Sequence, residues 1–67
     1  MSTVTGDDIR EFNAYLHACT NSQVLGVLEK ETRAGRDAYA ALADHEARSR
    51  GLHEAAHEVK MRIAREG

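Results

Sequence analysis

Apolar residues recur at helical spacing near the N-terminus of the chain. Ile9, Phe12 and Leu16 follow one another at steps of three and four, which places them on one face of a helix. Thr5 precedes this run, and its side-chain oxygen can accept a hydrogen bond from a free backbone N–H in the first helical turn. The pattern predicts a first helix over about residues 6–19.

A polar break at residues 20–22 separates this helix from a second and much longer apolar stripe. Asn21 or Ser22 can cap a new helix there, and so short a connection favours antiparallel neighbours. Proline is absent, so the pattern predicts one helix over about residues 22–65. Gly35 and Gly51 are its candidate breaks. The apolar positions predicted for the core or a dimer interface are Ile9, Phe12, Leu16, Leu25, Leu28, Leu42, Leu52, Val59 and Ile63.

The unequal lengths of the two predicted helices bear on the assembly. A short helix cannot cover the whole apolar stripe of a long helix, so part of that stripe needs another surface. A second copy of the chain is the simplest candidate, because two-fold dimers are the commonest oligomers. The sequence therefore predicts an all-α fold: a helical hairpin of a short and a long helix, packed as a homodimer. Residues 1–67 form a single helical domain in this interpretation, with residues 1–4 as a disordered tail.

Composition and charge narrow the classes of function. The formal net charge of −2 argues against a general nucleic-acid binder, which would carry a basic face. No stretch is apolar enough to span a membrane or resembles a signal peptide, and Cys19 is the single cysteine. We expect a cytoplasmic protein. Four pairs of oppositely charged side chains stand four residues apart, each with the acid first, an arrangement that stabilises helices. We interpret them as lying on solvent-exposed helix faces: Glu29–Arg33, Asp44–Arg48, Glu46–Arg50 and Glu58–Arg62.

One motif resembles catalytic chemistry. His53-Glu54-Ala55-Ala56-His57 matches the zinc-protease pattern HExxH, which places two histidines on one helix face beside a glutamate base. A catalytic zinc needs a third protein ligand, and no histidine follows His57. We therefore expect no enzyme activity and no cofactor. A metal site on His53 and His57, completed across a dimer by His45 or His17, is kept as an alternative.

Residues 19–51 carry a resemblance to a known group of proteins. They resemble small helical accessory proteins of temperate Pseudomonas phages, and among them the phage-encoded quorum-sensing anti-activators. The resemblance implies a helical dimer that binds host proteins: a LuxR-type transcription activator, kept off its DNA, and the ATPase that assembles type IV pili. The matching residues are the run from Cys19 to Val24, then Gly26-Val27, Lys30-Glu31, Ala34-Gly35-Arg36, Tyr39, Leu42-Ala43, Glu46-Ala47 and Arg50-Gly51.

These observations favour a non-enzymatic inhibitor or adaptor that binds a host bacterial protein. Interface hot spots are enriched in tyrosine and arginine, so Arg36 and Tyr39 are the candidate partner-binding residues. An alternative function of a different class is a phage structural or assembly component, which could be built from the same helices.

Overall fold

The computed structural model describes residues 5–66, which form four helices with no strand among them. The helices are α1 (Gly6–Ala18), α2 (Asn21–Ala34), α3 (Asp37–Ser49) and α4 (His53–Glu66). The all-α prediction is confirmed for this part of the chain. The predicted tail at residues 1–4 lies outside the described residues. None of the described helices is both long and apolar enough to cross a membrane.

The first two helices begin at capping boxes. The Thr5 hydroxyl accepts the backbone N–H of Asp8 at 3.2 Å, and the Asp8 carboxylate accepts that of Thr5 at 3.1 Å. Thr20 and Gln23 repeat this reciprocal arrangement at the start of α2. Each box satisfies backbone donors that have no partner within the helix. The Thr5 cap is confirmed, whereas Thr20 replaces Asn21 and Ser22 as the cap of α2.

The single long helix predicted over residues 22–65 is wrong, because the chain breaks at both candidate glycines. Gly35 has φ +73° and Gly51 has φ +79°, a left-handed conformation that glycine adopts without steric penalty. The residue after each glycine donates its backbone N–H to a carbonyl five residues earlier. Arg36 donates to Glu31, and Leu52 donates to Ala47. These bonds define Schellman motifs, which end helices α2 and α3. The hairpin is therefore replaced by four helices of nearly equal length.

The core is small and draws on all four helices. Leu16, Val24 and Leu28 are its largest fully buried side chains. Small residues complete it and permit close helix approach: Cys19 from the α1–α2 connection, Ala43 and Ala47 from α3, and Ala56 beside the larger Val59 from α4.

The predicted apolar stripe divides into three groups. Leu16, Leu28 and Val59 are buried, and Ile9 is 37% exposed. Partly buried members pack against the core: Phe12, Leu25, Leu42, Leu52 and Ile63. Because the folded-back chain covers much of its own stripe, an uncovered long helix no longer argues for a dimer.

Ion pairs connect α4 to the helices beside it. Arg62 donates to Glu29 at 2.7 Å, and Arg33 donates to both Glu29 and Glu66, so α2 and α4 are joined by a four-residue network. The pair expected between Glu58 and Arg62 is replaced by the contact of Arg62 with Glu29.

A second ion-pair network joins α4 to α3. Lys60 of α4 lies 3.2 Å from Asp44 of α3, which also accepts a hydrogen bond from Arg48 at 3.0 Å. Burial raises the pKa of Asp44, but these hydrogen bonds outweigh it and hold the pKa below its usual value.

Arg50 joins the end of α3 to the end of α1. Its guanidinium donates to the backbone carbonyls of Leu16 and Cys19 at 2.8 Å each, and to the Glu46 carboxylate at 2.8 Å. Glu46 is 6% exposed, so the interpretation of this pair as a solvated face is wrong. A cation at a helix C-terminus is favourable because free carbonyls and the helix dipole concentrate negative charge there.

Candidate functional site

A groove lies where α1, α2 and α3 meet, with a volume of about 350 Å³. Positions at helical spacing on α1 form one wall, since residues three and four apart share a face. The floor and the second wall come from the end of α2 and the start of α3. Seven residues line it: Asp8, Glu11, Phe12, Tyr15, Glu31, Arg36 and Tyr39. We call this the aromatic groove.

All aromatic residues of the chain meet in the aromatic groove. The rings of Phe12 and Tyr39 are 4.6 Å apart between centroids and inclined by 58°, and those of Phe12 and Tyr15 are 6.1 Å apart. These are the tilted arrangements that aromatic pairs prefer. Tyr15 is 55% exposed, and the neighbouring Cys19 thiol raises its pKa. The cluster thus packs α1 against α3 while leaving one tyrosine face open to solvent.

A buried carboxylate lies beside these rings. Glu31 is 5% exposed, and its Oε1 atom is 3.5 Å from the Arg36 guanidinium, which is at the outer limit of a hydrogen bond. Its Oε2 atom is also buried and has no hydrogen-bond partner among residues 5–66. An unpaired charged oxygen in this position is unfavourable, since desolvation is not repaid by a contact. The aromatic groove therefore contains an acceptor with unused capacity.

The two residues proposed from the sequence as partner-binding both line this groove. Arg36 lies in the connection between α2 and α3, with a side chain that is 61% exposed, and Tyr39 is half-buried in the first turns of α3. The structure therefore brings them together with α1, which the sequence reasoning had not associated with them.

Glu31 was missed by the sequence reasoning, although a signal was present. The buried face of α2 runs through Val24, Leu28 and Glu31 at steps of four and three, whereas the predicted stripe ran from Leu25 through Leu28. An acidic residue at helical spacing from buried apolar residues is expected to face the interior. Glu46, which follows buried Ala43 by three residues on α3, carries the same signal.

The histidines of the HExxH match lie elsewhere, in the first turns of α4. His53 and His57 line a separate pocket together with Glu54, Glu58 and Arg48. Within residues 5–66, no group of three or more histidine, cysteine, aspartate or glutamate side chains is arranged to hold a metal ion. His45 is exposed on α3, and His17 places its Nδ1 atom 2.8 Å from Glu46 Oε1.

Comparison with known protein families, curated proteins and solved structures finds no match for this chain.

Proposed function

We propose that this chain is a non-enzymatic inhibitor or adaptor that holds a partner protein in the aromatic groove. The observation that supports the proposal is the convergence of every aromatic side chain with Arg36 on one concave surface. Tyrosine and arginine are over-represented among the residues that dominate binding energy at protein interfaces. The partly exposed ring of Tyr15 and the half-buried ring of Tyr39 supply rigid contact area, and Arg36 supplies an exposed cation at the rim.

The partner class comes from the resemblance of residues 19–51 alone. By that resemblance the partner is a LuxR-type quorum-sensing activator of a Pseudomonas host, which the chain keeps from binding DNA. The ATPase that assembles type IV pili is the second host protein that the same resemblance implies. In this proposal the chain acts by occupying a surface of its partner, and the site of action is the host cytoplasm.

The test of this proposal uses the purified chain against a purified LuxR-type activator and its promoter DNA. We expect the wild-type chain to abolish the gel shift of the promoter fragment and Tyr39→Ala to lose most of that effect. His53→Ala is the matched control, because His53 is an exposed ring side chain on α4, outside the groove. Affinity capture from host lysate, repeated with both variants, extends the test to partners of other classes. A partner retained equally by wild type and Tyr39→Ala would show that the groove is not the binding surface.

Self-association is a separate part of the proposal. It is supported by exposed apolar side chains outside the groove on two helices, Ile9 on α1 and Met61 on α4, in a domain whose own core is small. We expect sedimentation velocity at micromolar concentration to give a dimer, and Ile9→Glu to shift it toward monomer. A monomer at every concentration would remove the dimer from the proposal without affecting the groove.

A further inference from the structure

The unpaired oxygen of Glu31 identifies the chemistry that the aromatic groove lacks. The Glu31 side chain is 94% buried, one of its oxygens has a single long contact with Arg36, and the other has none among the described residues. A carboxylate in this environment is stabilised most by a cation that donates hydrogen bonds to it directly. The missing group is therefore a positively charged donor.

We propose that the aromatic groove binds the side chain of an arginine presented by the partner protein. This inference rests on the proposed function, because it names the chemical group by which that partner is held. The guanidinium would donate to Glu31 and lie against the rings of Tyr15 and Tyr39. Arginine is favoured over lysine because its planar group stacks on aromatic faces and pairs with carboxylates through two parallel hydrogen bonds.

The charges around the groove agree with a cationic ligand. Asp8, Glu11 and Glu31 contribute three carboxylates to its lining, and Arg36 contributes the one base. Asp8 already accepts the Thr5 backbone N–H at the start of α1, whereas Glu11 is exposed on the same wall. A cation near an aromatic face is attracted by the negative face of the ring, most strongly in desolvated sites.

Arg36 occupies part of this site in the free protein. Its guanidinium contacts Glu31 through one 3.5 Å bond, while 61% of the side chain is exposed to solvent. So long a contact is weak, and an exposed side chain is free to move away. An incoming arginine displaces Arg36 from Glu31 and leaves it at the rim, where it can contact the rest of the partner protein. Removal of Arg36 therefore strengthens binding of an isolated arginine peptide, which has no further surface for Arg36 to contact.

The test is an NMR titration of the isotope-labelled chain with a short, end-capped glycine peptide that carries one central arginine. We expect saturable amide shifts confined to the residues around the groove. Binding should weaken at least about tenfold when citrulline, the neutral isostere, replaces arginine, because the charge-assisted bonds are lost. Glu31→Gln should weaken it to a similar extent, and Arg36→Ala should tighten it.

Two further variants keep the test decisive. Glu54→Gln removes an equal charge from an exposed position on α4, outside the groove, and should leave the affinity unchanged. Tyr15→Leu removes a ring that is 55% exposed, so this variant should fold even if Glu31→Gln does not. Its binding of the arginine peptide should weaken several-fold, because one aromatic face of the site is lost. Equal affinity for the arginine and citrulline peptides, or no saturable shift in the groove, would overturn the inference.

The two proposals fail in different ways. A host partner lost with Tyr39→Ala but bound equally by Glu31→Gln would overturn the arginine site and leave the proposed function standing. Peptide binding as expected, together with no host protein that depends on Tyr39, would overturn the proposed function and leave the arginine site standing.

Discussion

The contact of Arg50 with α1 provides the sharpest test of the fold. Arg50→Ala removes donors to the carbonyls of Leu16 and Cys19 and to Glu46, each at 2.8 Å. Removing one partner of a buried ion pair costs about 3–5 kcal/mol, because the remaining charge loses its compensation. The Arg50 side chain is 20% exposed and His17 stays on Glu46, so water and His17 recover part of that loss. We expect a net destabilisation of about 2–4 kcal/mol.

Urea unfolding followed by circular dichroism at the helical band measures this change. A domain of this size has only about 3–5 kcal/mol of stability, so Arg50→Ala should be partly unfolded without denaturant. Arg50→Lys keeps the charge but not the forked donors and should fall between the two. Arg10→Ala is the matched control, since Arg10 and Asp7 are more than 80% exposed, and it should change the free energy of unfolding by less than about 0.5 kcal/mol. A loss below about 1 kcal/mol for Arg50→Ala would refute the reasoning.

The Arg50 hydrogen bond lowers the pKa of Glu46 in the folded state. The ionised Glu46 carboxylate therefore contributes its full stabilisation above the pKa of an unfolded glutamate, about 4.3, and this stabilisation is lost as the pH falls through the folded pKa. Glu46→Gln should therefore flatten the acid limb of a stability–pH curve. Gly35→Ala should destabilise by about 1–2 kcal/mol in urea unfolding because of its positive φ, whereas Gly26→Ala, in open space within α2, should stabilise by about 0.5–1 kcal/mol. Leu28→Ala should cost about 2–5 kcal/mol and abolish the cooperative thermal transition.

Features that depend on neighbouring residues were predictable from the sequence. The N-terminal cap at Thr5 and the two glycine breaks were all identified, because each involves a few adjacent backbone groups. Whether the glycines would end helices or lie within one could not be decided in this way. The cost of a glycine inside a helix is about 1 kcal/mol, which tertiary packing readily overrides in either direction.

The candidate site was predictable only in part. Arg36 and Tyr39 were identified from residue type, but Phe12 and Tyr15 belong to a different helix, and nothing in their spacing relates them to α3. Glu31 was missed because the apolar stripe of α2 is wide, and its register could be drawn through Leu25 as well as Val24.

By itself the sequence determined that the described part of the chain is helical, where its first helix begins and at which glycines a helix can end, since capping and left-handed glycines are local properties. Only the tertiary structure decided which residues of α2 and α3 face the core. That choice made Glu31 and Glu46 interior carboxylates and brought Arg50 to carbonyls 31 and 34 residues away. The physical reason is that burial and charge pairing depend on which surfaces meet, and contacts this distant along the chain leave no periodic signal in it.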